Sequence, residues 1–192
     1  NEAAFDNIML QPRVMENVSQ RSLTASILDQ SFNVPFGVAP MGMCNLACPN
    51  ADRFLAETAN KLNFPICLSS AASSSIEDMA KWAGHRAWFQ LYFSSSEEVS
   101  LSMVDRALKA GFETLVLTVD VPQVSRRIRD LRNGFNLPFS MTSRAFWDFA
   151  THPKWSLRTL VAGAPTPKNF LDKDGNTTVS YTHLRAHETA CY

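Results

Sequence analysis

Nowhere in this 192-residue chain do apolar residues run on for the roughly 18–20 positions that a bilayer-spanning helix needs. Charge of one sign is also missing, since 18 Lys and Arg balance 18 Asp and Glu. A nucleic-acid binder draws its affinity from a basic surface that neutralises phosphates, and this chain has no basic excess to offer. Charged residues make up only 19% against 45% hydrophobic, which excludes the composition of a disordered chain. Low-complexity tracts are absent. Cysteine is sparse, with Cys44, Cys48, Cys67 and Cys191 too scattered for the disulfide framework of small secreted domains. The Cys44-x3-Cys48 spacing does not fit a CxxC redox or zinc knuckle. Small, partly buried thiols in a reducing compartment are expected, and with them a cytoplasmic address. Asn1 to Phe5 carry neither an initiator Met nor a signal-peptide pattern, so the chain is expected to start inside a longer polypeptide.

What is present is an alternation of two periods. Val34–Pro40, Phe64–Ser70, Ala87–Phe93 and Thr114–Asp120 are apolar runs too short for helices and apolar on both faces, as buried parallel strands are. Between them lie segments of helical period. Asp52–Leu62 puts Leu55, Ala59 and Leu62 on one face, and Ser75 with Asp78 three residues later opens the next helix in a capping-box manner. A third helix opens at Ser96, turns Val99, Met103, Val104, Ala107 and Leu108 inward, and ends at Gly111. Strand then helix, repeated about every 25 residues, predicts βαβ crossovers and a parallel sheet.

Two architectures compete for such a pattern, an open doubly wound sheet and a (β/α)8 barrel. No GxGxxG follows the first strand, which removes the main support for a dinucleotide-binding sheet. Each strand also delivers small or polar residues to its carboxyl end: Pro40-Met41-Gly42, Ser69-Ser70, Gln90 with Tyr92, and Thr118 with Asp120. In a (β/α)8 TIM barrel that edge is the active-site face. A complete barrel needs about 250 residues, so the expectation is a barrel truncated to about four βα units. Ahead of the first strand, Ile8–Leu10, Arg13–Met15 and Thr24–Leu28 read as extended pieces able to form a hairpin that plugs the barrel bottom. After Asp120, the proline- and aromatic-rich stretch Val121 to about Thr178 reads as a long excursion, with short helices near Ser143–Ala150 and Ser156–Val161.

The polar strand ends form the candidate site. Ser69 and Thr118 offer hydroxyls, and the Gln90 amide donates and accepts together. Such groups suit the edge of a heterocycle carrying carbonyls and ring nitrogens. None is by itself a strong nucleophile, metal ligand or general base, so a cofactor would carry the chemistry. Tyr92, one alternation beyond Gln90, is able to reach a substrate oxygen, and Asp120 to orient a neighbour. Arg126 and Arg127 follow the fourth strand, where a guanidinium fork holds a carboxylate well. Plainer readings stay open: Ser69 as a cap for backbone groups, and Arg126, Arg127, Arg129 and Asp130 as a solvated, salt-bridged loop. Gln90 is harder to explain away, because a buried amide without partners costs about 1–3 kcal/mol.

From about Phe5 to Phe170 these residues resemble the FMN-dependent α-hydroxy-acid dehydrogenases and oxidases, a family that includes L-lactate dehydrogenase, glycolate oxidase and mandelate dehydrogenase. The resemblance rests on Ala39-Pro40-Met41-Gly42, Leu68-Ser69-Ser70, Trp88-Phe89-Gln90-Leu91-Tyr92 and Leu117-Thr118-Val119-Asp120, followed by Arg126-Arg127 and Asp130–Asn133. It implies a TIM barrel and FMN-dependent oxidation of an L-2-hydroxy acid, lactate-like or mandelate-like, to the 2-oxo acid. Pro40, Met41 and Gly42 would approach the flavin by main chain; many relatives carry Thr where Met41 stands. Ser69, Gln90 and Thr118 would bond the flavin edge. Tyr92 would contact the substrate hydroxyl, Asp120 would support the site, and Arg127 would lie near the substrate carboxylate. A quinone or oxygen would accept the electrons, and the parent enzyme would be a homo-oligomer. Thr151–Leu157 looks most like the lactate and mandelate dehydrogenases, some of which touch a membrane through this segment, so peripheral contact at the inner face of the plasma membrane is expected. The family's catalytic histidine, its neighbouring arginine and a flavin-stabilising lysine belong to the second half of the barrel, and an N-terminal tyrosine is also missing. His85 and His152 do not match the catalytic position. Residues 1–178 are therefore expected to be the N-terminal half of such a barrel, inactive and without stable FMN on its own. A different flavin barrel, of the isopentenyl-diphosphate isomerase or dihydroorotate type, is the other alternative.

Residues 179–192 break the pattern. His183 and His187 share a helical face with Glu188 and Cys191 nearby, a spacing able to hold zinc. No second ligand pair accompanies them, and the string looks like translated sequencing-adapter read-through, so it is expected to be a non-native tail and no metal site is expected.

Overall fold

The computed structural model describes residues 2–93, 96–119, 141–163 and 165–170, together with Ile128 and Arg132. A single helical turn, α1 (Glu2–Phe5), precedes an extended stretch in which Ile8–Leu10 and Arg13–Met15 form no strand. Their side chains are exposed, and Pro12 between them has no N–H to give a ladder. Thr24–Leu28 fares differently. Strands β1 (Ala25–Ile27) and β2 (Gln30–Phe32) pair antiparallel around Leu28 and Asp29, both at positive φ (51° and 61°). Two left-handed residues match the twist of a tight hairpin, although Asn-Gly is the usual sequence for it. Phe32 is fully buried edge-to-face against Trp88, and Trp88 Nε1 donates to Gln30 Oε1 at 3.0 Å. The hairpin thus covers the amino ends of the main strands, the bottom that the sequence assigns to it.

The main sheet is parallel, with β3 (Ile66–Ser69), β4 (Ala87–Tyr92) and β5 (Leu115–Thr118) side by side in chain order. The first expected strand shrinks to one bridge, Val38 against Ile66, held by Val38 N–H to the Pro65 carbonyl and Cys67 N–H to the Val38 carbonyl, both 2.9 Å. Pro35 and Pro40 flank it and cannot extend the ladder. Gly37 lies so close to Pro65 that a Cβ there would sit 2.4 Å from the Pro65 carbonyl oxygen.

Helices α2 (Cys44–Ala47), α3 (Ala51–Leu62), α4 (Ile76–Ala83) and α5 (Glu97–Lys109) fill the connections. The expected caps form: Ser75 Oγ accepts from Asp78 N–H, and Ser96 Oγ from Val99 N–H. At the end of α5, Gly111 (φ 91°) reverses the chain, its N–H bonding Leu108 O and the Phe112 N–H bonding Ala107 O. Ala56 and Ala59 of α3, Ile76, Met79 and Ala83 of α4, and Met103 and Ala107 of α5 join Ile66, Leu68, Phe89 and Leu91 in a single core. Those strand residues all belong to one face. Among the described residues α3, α4 and α5 all pack on this face, as in a singly wound, barrel-like sheet, whereas a doubly wound sheet carries helices on both faces. This is a partial α/β assembly of the kind a truncated barrel provides.

Four expected core positions move outward. The buried stripe of α3 is Asp52, Ala56 and Ala59, and Leu62 in the last turn is exposed. Leu108 of α5 is exposed beside Leu115, at a cleft also lined by Phe89, Val104 and Phe112. Leu115 and Leu117 are themselves about half exposed, because no described element after β5 covers that face. Further along, α6 (Ser143–Thr151) and α7 (Pro153–Ala162) appear close to the expected places, α7 beginning earlier with Pro153 in its first turn. Residues 165–170 return to the sheet and end in buried Asn169 and Phe170. Residues 179–192, with the four residues of the zinc-like spacing, lie outside the described residues.

Gly37→Ala should lower stability by about 1–3 kcal/mol, the usual result of forcing a methyl into packed backbone. Gly42→Ala should leave it nearly unchanged, since a Cβ there meets only Ala71 at an ordinary 3.6 Å. Urea unfolding of the two variants checks the contrast.

Candidate active site

Directly paired residues of parallel strands share a face, and the register therefore fixes the site. Ser69 pairs with Gln90, Gln90 with Val116, and Tyr92 with Thr118. Ser69, Gln90, Tyr92 and Thr118 thus lie on the face turned away from the helices, at the carboxyl ends of strands spaced about 4.8 Å apart. The structure brings these four together as the sequence suggested.

Gln90 is the centre. It is 1% exposed, and its Nε2 donates to Thr118 Oγ1 at 2.8 Å. Its Oε1 is buried and has no partner among the described residues. Ser69 is buried and its Oγ accepts from Ala71 N–H at 3.2 Å, the capping role its residue type allowed. That bond leaves the hydroxyl hydrogen free to donate elsewhere. Tyr92 is 39% exposed, with its backbone N–H held by Ser70 Oγ at 3.2 Å. Cys67, paired with Trp88 on the same face, is a neutral lining group, since burial pushes its thiol up to about 12. Pro40, Met41 and Gly42 form the turn after the Val38 bridge; Met43, at φ 54°, then donates its N–H to the Ala71 carbonyl. The turns that follow Val38 and β3 are thereby joined. Asp120, Arg126 and Arg127 lie outside the described residues.

Sequence reasoning missed the polar layer behind this edge. Ser70, Ser73 and Ser74 are buried, and Ser73 Oγ donates to Asp52, a buried carboxylate on the first turn of α3. Asn45 threads the same cluster, its N–H reaching Ser73 Oγ and its Oδ1 accepting from Asp52 N–H. Burial near Asp52 raises the Cys44 thiol as well. The serine run from Ser69 to Ser75 was the available signal, because so many small hydroxyls after a buried strand need buried partners. Asn169 gave no signal, its side-chain partners being more than ninety residues away.

No histidine among the described residues reaches this edge. His85 precedes β4 at the bottom, near Glu113, and His152 lies between α6 and α7 with Nδ1 beside the Asp148 carbonyl. Among the described residues no cluster of His, Cys, Asp and Glu is able to hold a metal. Groups that donate and accept along one edge, without a base or a metal, bind and orient a flat heterocycle more readily than they catalyse alone.

Comparison with known proteins gives that heterocycle a family. Residues 1–190 match the family model of the FMN-dependent dehydrogenases. The chain is 37% identical over 171 residues to (S)-mandelate dehydrogenase of Pseudomonas putida, covering 89% of this chain and 43% of that protein. It is 36% identical over 146 residues to 4-hydroxymandelate oxidase of Amycolatopsis orientalis, covering 76% and 41%. The crystal structure of the monotopic membrane protein (S)-mandelate dehydrogenase superposes with a TM-score of 0.84 at 33% identity, over 96% of this chain and 53% of that one. The chain spans about half the length of the relatives it matches, or somewhat less. On the agreement of family model, relatives and fold, the chain belongs to the FMN-dependent dehydrogenase family.

Proposed function

We propose that this chain is the amino-terminal half of an enzyme that oxidises an L-2-hydroxy acid, lactate-like or mandelate-like, to its 2-oxo acid with FMN. The observation that carries the reading is the buried Gln90 Oε1, which has no partner among the described residues. An orphaned acceptor inside a protein costs about 1–3 kcal/mol unless something donates to it, and a ring N–H at the edge of a flavin is such a donor. Ser69 and Thr118 on either side keep hydroxyl hydrogens for ring acceptors. The residues present fit the group.

When bound, FMN supplies the two-electron acceptor for the oxidation. This chain's own residues bind and orient. Ser69, Gln90 and Thr118 would hold the ring edge, and the Pro40–Gly42 main chain would approach it. Tyr92, half exposed at the mouth, contacts the substrate hydroxyl. By resemblance to the family, Asp120 would support the site and Arg127 would pair with the substrate carboxylate; both lie outside the described residues. The base that takes the hydroxyl proton belongs to the other half of a barrel to which we assign four strands here, counting the Val38 bridge. Among the described residues the site is a cradle without a histidine base. A quinone or oxygen takes the electrons onward.

The α6–α7 hairpin favours a membrane location for that transfer. Phe146, Trp147, Leu157, Leu160 and Val161 are all at least 60% exposed, and Lys154 and Arg158 lie among them. No described helix is long and apolar enough to cross a membrane, so the hairpin would lie in the lipid interface at the cytoplasmic side. Trp155 anchors it, stacked on Phe149 and donating to the Leu46 carbonyl of α2 at 3.2 Å.

Joining this chain to the carboxyl-terminal half of (S)-mandelate dehydrogenase gives a completed enzyme in which the reading is testable. Mixed anaerobically with (S)-mandelate or L-lactate, it should lose its oxidised-flavin absorbance. A flavin that stays oxidised with every L-2-hydroxy acid would contradict the assignment. The 192-residue chain alone should carry no stoichiometric flavin through purification. In the completed enzyme, Trp147→Ser with Leu160→Ser should weaken co-sedimentation with anionic lipid vesicles about tenfold or more, given about 1.5–3 kcal/mol per buried apolar side chain. Unchanged sedimentation would remove the membrane role from this hairpin.

A further inference from the structure

Asn169 is fully buried far along the chain from everything it touches. Its Oδ1 accepts from Ile76 N–H at 3.0 Å, and its Nδ2 donates to the Ser74 carbonyl at 3.1 Å. Its own carbonyl accepts from Arg106 Nη1 at 3.0 Å, while Arg106 forks onto Glu77 with two bonds of 2.9 Å. On either side, Lys168 N–H reaches the Ala72 carbonyl and Phe170 is buried in the core. The grip is chemically selective. Ile76 opens α4, where backbone N–H groups lack helical partners, and Ser75 spends its hydroxyl on Asp78. One side chain must accept from an amide and donate to a carbonyl at once, and only a carboxamide does both in a fixed plane.

The loop so gripped, Ser70 to Ser75, is also the hub of the candidate site. Ser70 N–H bonds the Gln90 carbonyl, and Ser70 Oγ holds the Tyr92 N–H. The Ala71 carbonyl holds Met43 N–H, and the Ala71 N–H bonds Ser69 Oγ. Met43, Ser69, Gln90 and Tyr92 therefore all hang from a loop whose far side is clamped by Asn169. We propose that Asn169 is a positioning residue for the flavin-edge site: the segment returning from the α6–α7 hairpin fixes the β3–α4 loop and, through it, the Pro40–Met43 turn and the backbone at Tyr92. The inference rests on the flavin reading for what the site binds, and its test does not depend on flavin.

The test is residue-resolved amide hydrogen exchange on the 192-residue chain and its Asn169→Ala and Asn169→Asp variants. Asn169→Ala should speed exchange about tenfold or more at Ile76, and also at Met43 and Tyr92, while Met103 and Ala107 in α5 keep their protection. Asn169→Asp keeps the acceptor and loses the donor, so Ile76 should stay protected while Met43 and Tyr92 still loosen. Faster exchange at Ile76 alone overturns the proposal, since the residue would then be a local cap. Equal acceleration at every amide overturns it too, since the effect would be ordinary destabilisation. If Asn169→Ala does not fold, the same amides in Asn169→Asp decide. The expected pattern, obtained alongside a completed wild-type enzyme that binds no FMN, upholds the positioning role and overturns the flavin reading.

Discussion

The side chains that matter here are brought together by the register of three parallel strands, and above all by one amide in the middle of them. Gln90 is held on both sides by paired neighbours, buried to 1% exposure, and satisfied at its nitrogen by Thr118. Its oxygen has no partner among the described residues. A slip of one residue in the β3–β4 pairing would turn Ser69 onto the helix face and bury a hydroxyl among Leu68, Phe89 and Met79. The apolar packing on that helix face is therefore what holds the polar edge in place. Ile66, Leu68, Phe89 and Leu91 lock the register by burial, at about 1.5–3 kcal/mol for each side chain.

One-sided winding explains why the two faces differ so sharply. Over β3 and β4 the helix side is closed by α3, α4 and α5, whose buried residues join the core. The other side carries Cys67, Ser69, Trp88, Gln90 and Thr118, a mixed surface suited to the interior and mouth of a barrel. Leu115 and Leu117 at the β5 edge remain half exposed, since no described element after β5 covers them. The serine loop after β3 links these layers. It ends one core strand, caps the next helix through Ser75, and holds Tyr92 and Met43 by their backbones.

Much of this was legible in the residues. Short apolar runs separated by helical period were enough for a parallel sheet, and polar residues at the carboxyl ends were enough to place Ser69, Gln90, Tyr92 and Thr118 along one edge. Ser75 and Ser96 announced their caps, and the hairpin at the bottom was foreshadowed by Thr24–Leu28. Other features were hidden for identifiable reasons. Leu28-Asp29 gave no turn signal, because its left-handed geometry is imposed by the flanking pairs and by Phe32 packing on Trp88. Leu62 and Leu108 have the right period for burial but lie where no described neighbour covers them. The first strand failed to lengthen because its prolines remove donors. Asn169 and Asp52 stayed invisible because a polar residue's worth depends on partners that only folding supplies.

The central claim is that Gln90 is kept for a ligand and contributes little to the stability of the protein. FMN affinity of the completed enzyme carrying Gln90→Leu, read beside the thermal stability of its flavin-free form, tests it most directly. The account predicts a flavin-free protein at least as stable as the parent, since an orphaned polar atom is removed, with FMN bound about tenfold or more weakly. A variant that melts earlier yet binds FMN as tightly as the parent would contradict it.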